Sequence, residues 1–125
     1  MTQLAATYDY SNIRTVVQNY IDGFVQRDTN LLRQTFSESA RLIAVDEGKI
    51  LELAASDWFV KLDERKKSGA PIALASSEIT SIQQTHNAAI AVVRLDFPTY
   101  GFTDYLSLLK TPSGWLIANK IYATH

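Results

Sequence analysis

The chain closes with Gly101-Phe-Thr-Asp-Tyr-Leu-Ser-Leu-Leu-Lys110, then Thr111-Pro-Ser-Gly114, then Trp115-Leu-Ile-Ala-Asn-Lys-Ile-Tyr122. Two β-rich runs flank a linker that carries the Pro and Gly of a tight hairpin loop. Both runs alternate, yet neither has a clearly polar face. In the second run Trp115, Ile117, Asn119 and Ile121 share one side, and Leu116, Ala118, Lys120 and Tyr122 the other. A strand that is apolar on both faces must be covered on both. Helices of the same chain can cover one face. The other calls for a second subunit, with Tyr105, Leu109, Leu116, Ala118 and Tyr122 as the expected homodimer patch.

Working outward, 125 residues are read as one domain, 1–125, able to bury roughly two-thirds of the surface its unfolded chain exposes. Twelve basic and thirteen acidic residues are dispersed along the chain, which provides no electrostatic footprint for nucleic acid or an anionic membrane. The single basic cluster, Arg65-Lys66-Lys67, falls at an expected helix end, where it complements the helix dipole. With no cysteine, disulfides, thiolate metal sites and cysteine nucleophiles are excluded. No apolar run approaches the roughly 18 residues of a membrane span. The Met1–Thr7 start lacks the basic and apolar regions of a signal peptide, so a cytoplasmic protein is expected.

Upstream, Ile13, Val16, Val17, Tyr20, Ile21, Phe24 and Val25 form one stripe at helical spacing, with Asp9 or Ser11 available as N-cap. Asp28 and Thr29 can cap a short helix over 30–36, ended by Ser37-Glu38-Ser39. A strand is expected over 40–46, a turn at Glu47-Gly48, and a strand over 49–53. Ser56 can cap a helix over 57–67, stopped by Gly69 and Pro71. Strands follow over 73–85 and 88–97, with turns at His86-Asn87 and 98–101. Helices segregated from an antiparallel sheet make this an α+β fold, with the first helix lying across a curved sheet and a cavity between them.

The run Arg27-Asp-Thr-Asn-Leu-Leu-Arg-Gln-Thr-Phe36, then Ser39-Ala-Arg-Leu42, then the closing signature together resemble the nuclear transport factor 2-like superfamily. Within it they resemble the "putative lumazine-binding" and polyketide-cyclase-like (SnoaL-like) groups. The resemblance spans residues 13–122. It implies a cone-shaped α+β fold with an internal pocket, and dimers through the outer sheet face. It does not imply one activity, because relatives include ketosteroid isomerases, cyclase-like enzymes, dehydratases and non-catalytic binding modules.

Two carboxylates are candidates for chemistry. Asp104 shares a strand face with Phe102, Leu106 and Leu108, so an inward face would hold a carboxylate in an apolar cleft, suited to a general base or a ligand acceptor. The other reading is a structural carboxylate bonded to Asn119. Asp46 ends the first strand. Resemblance to the isomerases implies a catalytic Asp four residues after Ala40, where this chain has Ala44; Asp46 is two residues further on and equally suits a turn. His86 and His125 are isolated and do not suggest a metal site. The expected ligand-binding set is Tyr20, Phe24, Trp58, Phe59, Phe97, Phe102, Asp104 and Asn119, lining a pocket for a flat ligand, with no cofactor. Three functions remain open: small-molecule binding, cofactor-free lyase or isomerase chemistry, and a dimeric interaction module with a vestigial pocket.

Overall fold

The structure is a computed structural model that describes residues 8–69 and 73–125. The expected stop at Pro71 and the Met1–Thr7 start lie outside the described residues. The elements run α1 (Tyr10–Gln26), α2 (Thr29–Thr35), β1 (Phe36–Asp46), β2 (Lys49–Ala54), α3 (Ala55–Lys67), β3 (Ser76–Thr85), β4 (Ala88–Asp96), β5 (Gly101–Thr111) and β6 (Gly114–Thr124). The fold is the expected α+β cone: among the described residues, three helices lie against one face of a curved, unclosed six-stranded sheet.

In α1 the apolar stripe buries Ile13, Val17, Tyr20, Ile21 and Phe24, each full burial contributing about 1.5–3 kcal/mol. Asp9 occupies the N-cap position but makes no side-chain cap bond, because its carboxylate is engaged elsewhere. Ser11 lies within the helix. Asp28 caps α2 by accepting from the Leu31 amide at 3.1 Å. The helix ends at Thr35, and 37–39, expected to terminate it, already belong to β1. The expected cap Ser56 is likewise inside α3, whose N-cap is Ala54 with no side-chain bond; β2 runs straight into this helix and leaves no capping loop. Trp58, Phe59 and Leu62 face inward.

The sheet order is β2-β1-β6-β5-β4-β3. One expectation needs correction: the sheet is mixed, because β1 pairs with β6 in parallel. Strand composition carries no sign of direction. The parallel pair follows from α3, which carries the chain from β2 to the far edge at β3, so that the returning meander sets β6 beside β1. The Glu47-Gly48 turn has both residues at positive φ, 50° and 79°, as a two-residue hairpin turn requires. The closing hairpin is tighter than the sequence suggested, with Thr111 paired to Gly114 across Pro112-Ser113.

Facing the helices are Ala91, Val93 and Leu95 of β4, Leu106 and Leu108 of β5, and Trp115 and Ile117 of β6, all buried. The opposite face leaves Ile90, Tyr105, Leu109 and Ile121 about half exposed, at 49–53%.

Candidate functional site

Strict alternation along β6 fails at Ala118. Ser107 of β5 pairs with Asn119, but its neighbour Leu108 pairs with Ile117, which leaves Ala118 without a partner in a β-bulge. One extra residue flips every side chain beyond it. Trp115 and Ile117 point inward before the bulge. After it the inward residues are Lys120 and Tyr122, while Ile121 is turned out and 53% exposed.

Two expectations fall with this. Asn119 does not reach the cavity; its Oδ1 accepts from the Arg41 backbone amide at 3.0 Å, tying β6 to β1. Tyr122 belongs to the inner side, beside Phe102 at 6.0 Å between ring centroids, and not to the outer patch. Ala118 is the bulge residue itself.

The inward residues of β5 are Phe102, Asp104, Leu106 and Leu108, and Asp104 is fully buried. Its Oδ2 accepts from the Tyr20 hydroxyl of α1, and the Lys120 ammonium stands 3.9 Å away. Its Oδ1 is buried with no hydrogen-bond partner. The carboxylate is therefore held by Tyr20 and Lys120 and not by Asn119. Burial pushes the Tyr20 hydroxyl well above its ordinary range, and Asp104 beside it pushes the same way.

Lys120 is 6% exposed and sits in an aromatic cage. Its Nζ lies 4.7 Å from the Trp58 ring centroid, 5.1 Å from Tyr20, 5.5 Å from Phe24 and 5.1 Å from Tyr122. These are cation–π distances, and desolvated contacts of this kind are worth about 2 kcal/mol or more. Burial draws the Lys120 ammonium below its ordinary range, with Asp104 acting in opposition.

Above this cage lies a cleft in two lobes. The inner lobe, about 200 Å³, is lined by Phe24, Trp58, Phe102, Tyr122, Arg65 and Lys120, with Leu42 beside them. The outer lobe, about 310 Å³, lies among Phe24, Arg27, Arg65, Phe97, Tyr100 and Phe102, together with Ala73 and Pro98. Phe24, Arg65 and Phe102 belong to both, so the lobes meet along one wall. At the mouth Phe97 stacks on Tyr100, with centroids 4.9 Å apart and planes 16° from parallel.

Of the expected set, Phe24, Trp58, Phe97 and Phe102 line this cleft. Tyr20 and Asp104 lie beneath it as the support of Lys120. Phe59 does not reach it; its ring packs on Phe36 and Trp58 under the Arg33 guanidinium, as core. Asp46 is exposed at the β1–β2 turn, opposite Lys49 and outside the cleft. Sequence reasoning missed Lys120 and Tyr122 because period-2 alternation carries no trace of a bulge. It missed Arg65 because a basic residue in the last turn of a helix has a sufficient local explanation. Among the described residues, no group of His, Asp and Glu is arranged to hold a metal, and no helix is long and apolar enough to cross a membrane.

The family model described as "Putative lumazine-binding" matches residues 8–123. No curated protein matches the chain. Among solved structures, a nuclear transport factor 2-like protein of unknown function from Shewanella baltica OS155 is 28% identical, covering 100% of this chain and 98% of that one, with a TM-score of 0.82. Another of unknown function, from Silicibacter pomeroyi DSS-3, is 20% identical over 93% of this chain and 95% of its own, at 0.78. A third, from Methylobacillus flagellatus KT, is 21% identical over 99% and 95%, at 0.77. With the helix-covered cone, the two-lobed cleft and a family match over nearly its whole length, the chain belongs to the "putative lumazine-binding" family of the nuclear transport factor 2-like superfamily.

Proposed function

We propose that this is a small-molecule-binding domain whose cleft takes a flat, largely apolar ligand. The observation that carries the reading is the cleft itself, with aromatic walls from α1, α3, β5 and β6 and a single buried amine at its floor. Few polar anchors on an aromatic surface are the usual make-up of a small-molecule site. Asp104 supports the amine from below and lines neither lobe. The lyase or isomerase alternative has less in its favour, since Ala44 stands where the isomerases' base would be and Asp46 lies outside the cleft.

The family description makes pteridines the first compounds to screen, followed by flavins and aromatic polyketides. A ligand at a hundredfold excess over its dissociation constant stabilises the fold by roughly 2.7 kcal/mol, a melting shift of several degrees at this size. The shift is expected in the wild type and greatly reduced in Phe102→Ala. A full screen without any shift would sink the binding reading and leave the interaction module.

The outer sheet face supports a symmetric homodimer. Tyr105, Leu109 and Ile121 are each about half exposed on adjacent strands β5 and β6, and Ile90 extends the row onto β4. A groove of about 450 Å³ continues the apolar surface along the ends of β1, β2 and β6. Light scattering should report twice the 14.0 kDa chain mass, and Tyr105→Glu should return it to one.

A further inference from the structure

The Lys120 ammonium has three N–H donors and, among the described residues, no hydrogen bond to any of them. Among the described residues, Asp104 is its one carboxylate neighbour. At 3.9 Å that contact is an ion pair longer than a hydrogen bond, and the same Oδ2 already accepts from Tyr20. The four ring faces stabilise a cation but offer no lone pair in the plane of a good acceptor. An ammonium largely removed from water with no protein acceptor is costly, and the side on which this one stays open is the inner lobe of the cleft.

Charge along the cleft points the same way. Arg65 lines both lobes, Arg27 lines the outer one, and among the described residues no Asp or Glu lines either. Arg27 spans the cleft edge by donating to the Arg65 carbonyl at 3.1 Å, which fixes the two basic residues beside each other. Asp104 and Lys120 together are neutral as a buried pair, so the Arg65 guanidinium adds positive charge to the wall that the two lobes share. Arg65 takes part in no ion pair among the described residues.

We infer that the ligand, given the flat-ligand reading above, is a planar anion: its ring lies against Phe24, Phe102 and Tyr122, and its anionic group enters the inner lobe to accept from Lys120, with Arg65 alongside. The recognised class is an aromatic or polycyclic acid, in which a carboxylate or enolate oxygen replaces the missing acceptor. Asp104 and Tyr20 are positioning residues, holding the ammonium at the lobe floor without touching the ligand.

The test is calorimetric titration of the full chain with naphthoate and with naphthamide, a pair of equal shape that differs in charge. The wild type is expected to bind the acid about tenfold tighter or more, and the margin should shrink at high salt, since Arg65 is near solvent. Lys120→Met should bring the two affinities within about twofold. Because that variant strands Asp104, the double variant Lys120→Met/Asp104→Asn provides the same comparison with the charge balanced. Arg65→Gln should remove part of the preference. Equal binding of acid and amide by the wild type overturns the anion assignment and leaves the flat-ligand reading standing. A preference for the acid that survives both Lys120 variants overturns it too, by placing the anion elsewhere. Binding of neither compound overturns the flat-ligand reading together with the anion.

Discussion

Two carboxylate–lysine–aromatic clusters bridge the helices to the β5–β6 hairpin, and they differ in completeness. Near the hairpin turn, Asp9 Oδ2 accepts from Lys110 Nζ at 2.6 Å and from Trp115 Nε1 at 3.0 Å, while its backbone amide donates to Gln84 Oε1 at 2.8 Å. Every partner is within hydrogen-bond reach, and Lys110 remains half exposed. At the opposite end, Asp104 holds Tyr20 and faces Lys120, but one carboxylate oxygen has no partner and the ammonium has no hydrogen bond. The same three kinds of group thus form a finished clasp at one end and an unfinished one at the other. A clasp at the surface can close on itself because water serves whatever is left over. A buried one that stays open, beside a cavity, reads as a site waiting for an acceptor.

The comparison can be tested from its strongest consequence downward. Asp104→Ala leaves Lys120 buried without a counter-charge and Tyr20 without an acceptor, and should cost about 3–5 kcal/mol in urea unfolding. If Asp9→Ala, which returns Lys110 to water, costs as much, the contrast between the clusters is broken. Tyr20→Phe keeps the ring and removes one hydrogen bond to a carboxylate, with an expected loss of about 1.5–3 kcal/mol by the same measurement. The triple variant Lys120→Met/Asp104→Leu/Tyr20→Phe should be more stable than Asp104→Ala and within about 1 kcal/mol of the wild type, since removing the buried pair together with the hydroxyl strands neither a charge nor a donor.

Smaller effects lie in the pH dependence. The Lys120 value in the folded protein is drawn below 10.5, so between the two values the unfolded chain binds more protons. Stability contributed through Lys120 therefore rises with pH in that window, and Lys120→Met should flatten the rise in a series of melting curves. Tyr20 acts oppositely: with its folded value raised, the unfolded chain alone releases a proton above 10.0, and stability falls there. Asp9 sits below 3.8, held down first by its bond from Lys110 and then by that from Trp115. Its contribution is complete above 3.8 and is lost as pH drops through the lowered folded value. Asp9→Asn should blunt that acid limb alone, the smallest change of the series.

Much of this was legible in the chain. The α1 stripe is set by spacing and the α3 inward face by Trp58, Phe59 and Leu62. The β5 inner face follows from alternation, which put Asp104 beside Phe102 and Leu106 in an apolar setting. What was not legible depends on events that leave no local mark. The parallel β1–β6 pair depends on where α3 delivers the chain. The exchange of Asn119 for Lys120 in the interior depends on one unpaired residue. A lysine in a strand reads as a surface residue, and only tertiary context, four aromatic rings and a carboxylate, makes its burial tolerable.

The bulge at Ala118 also says which kind of change would alter this domain most. β6 behaves as two binary codes spliced out of phase: Trp115 and Ile117 spell the solid end of the cone, Lys120 and Tyr122 the hollow end. Substitutions edit single letters of either code. Drawing Ala118 into the ladder, with the bulge lost, would instead shift the frame of everything after it, turning Lys120 and Tyr122 out onto the outer face of the sheet and sending Ile121 into the cleft. Within this architecture the presence of the bulge in the last strand thus separates a pocketed domain from a filled one, and gains or losses of binding among similar chains are best sought there.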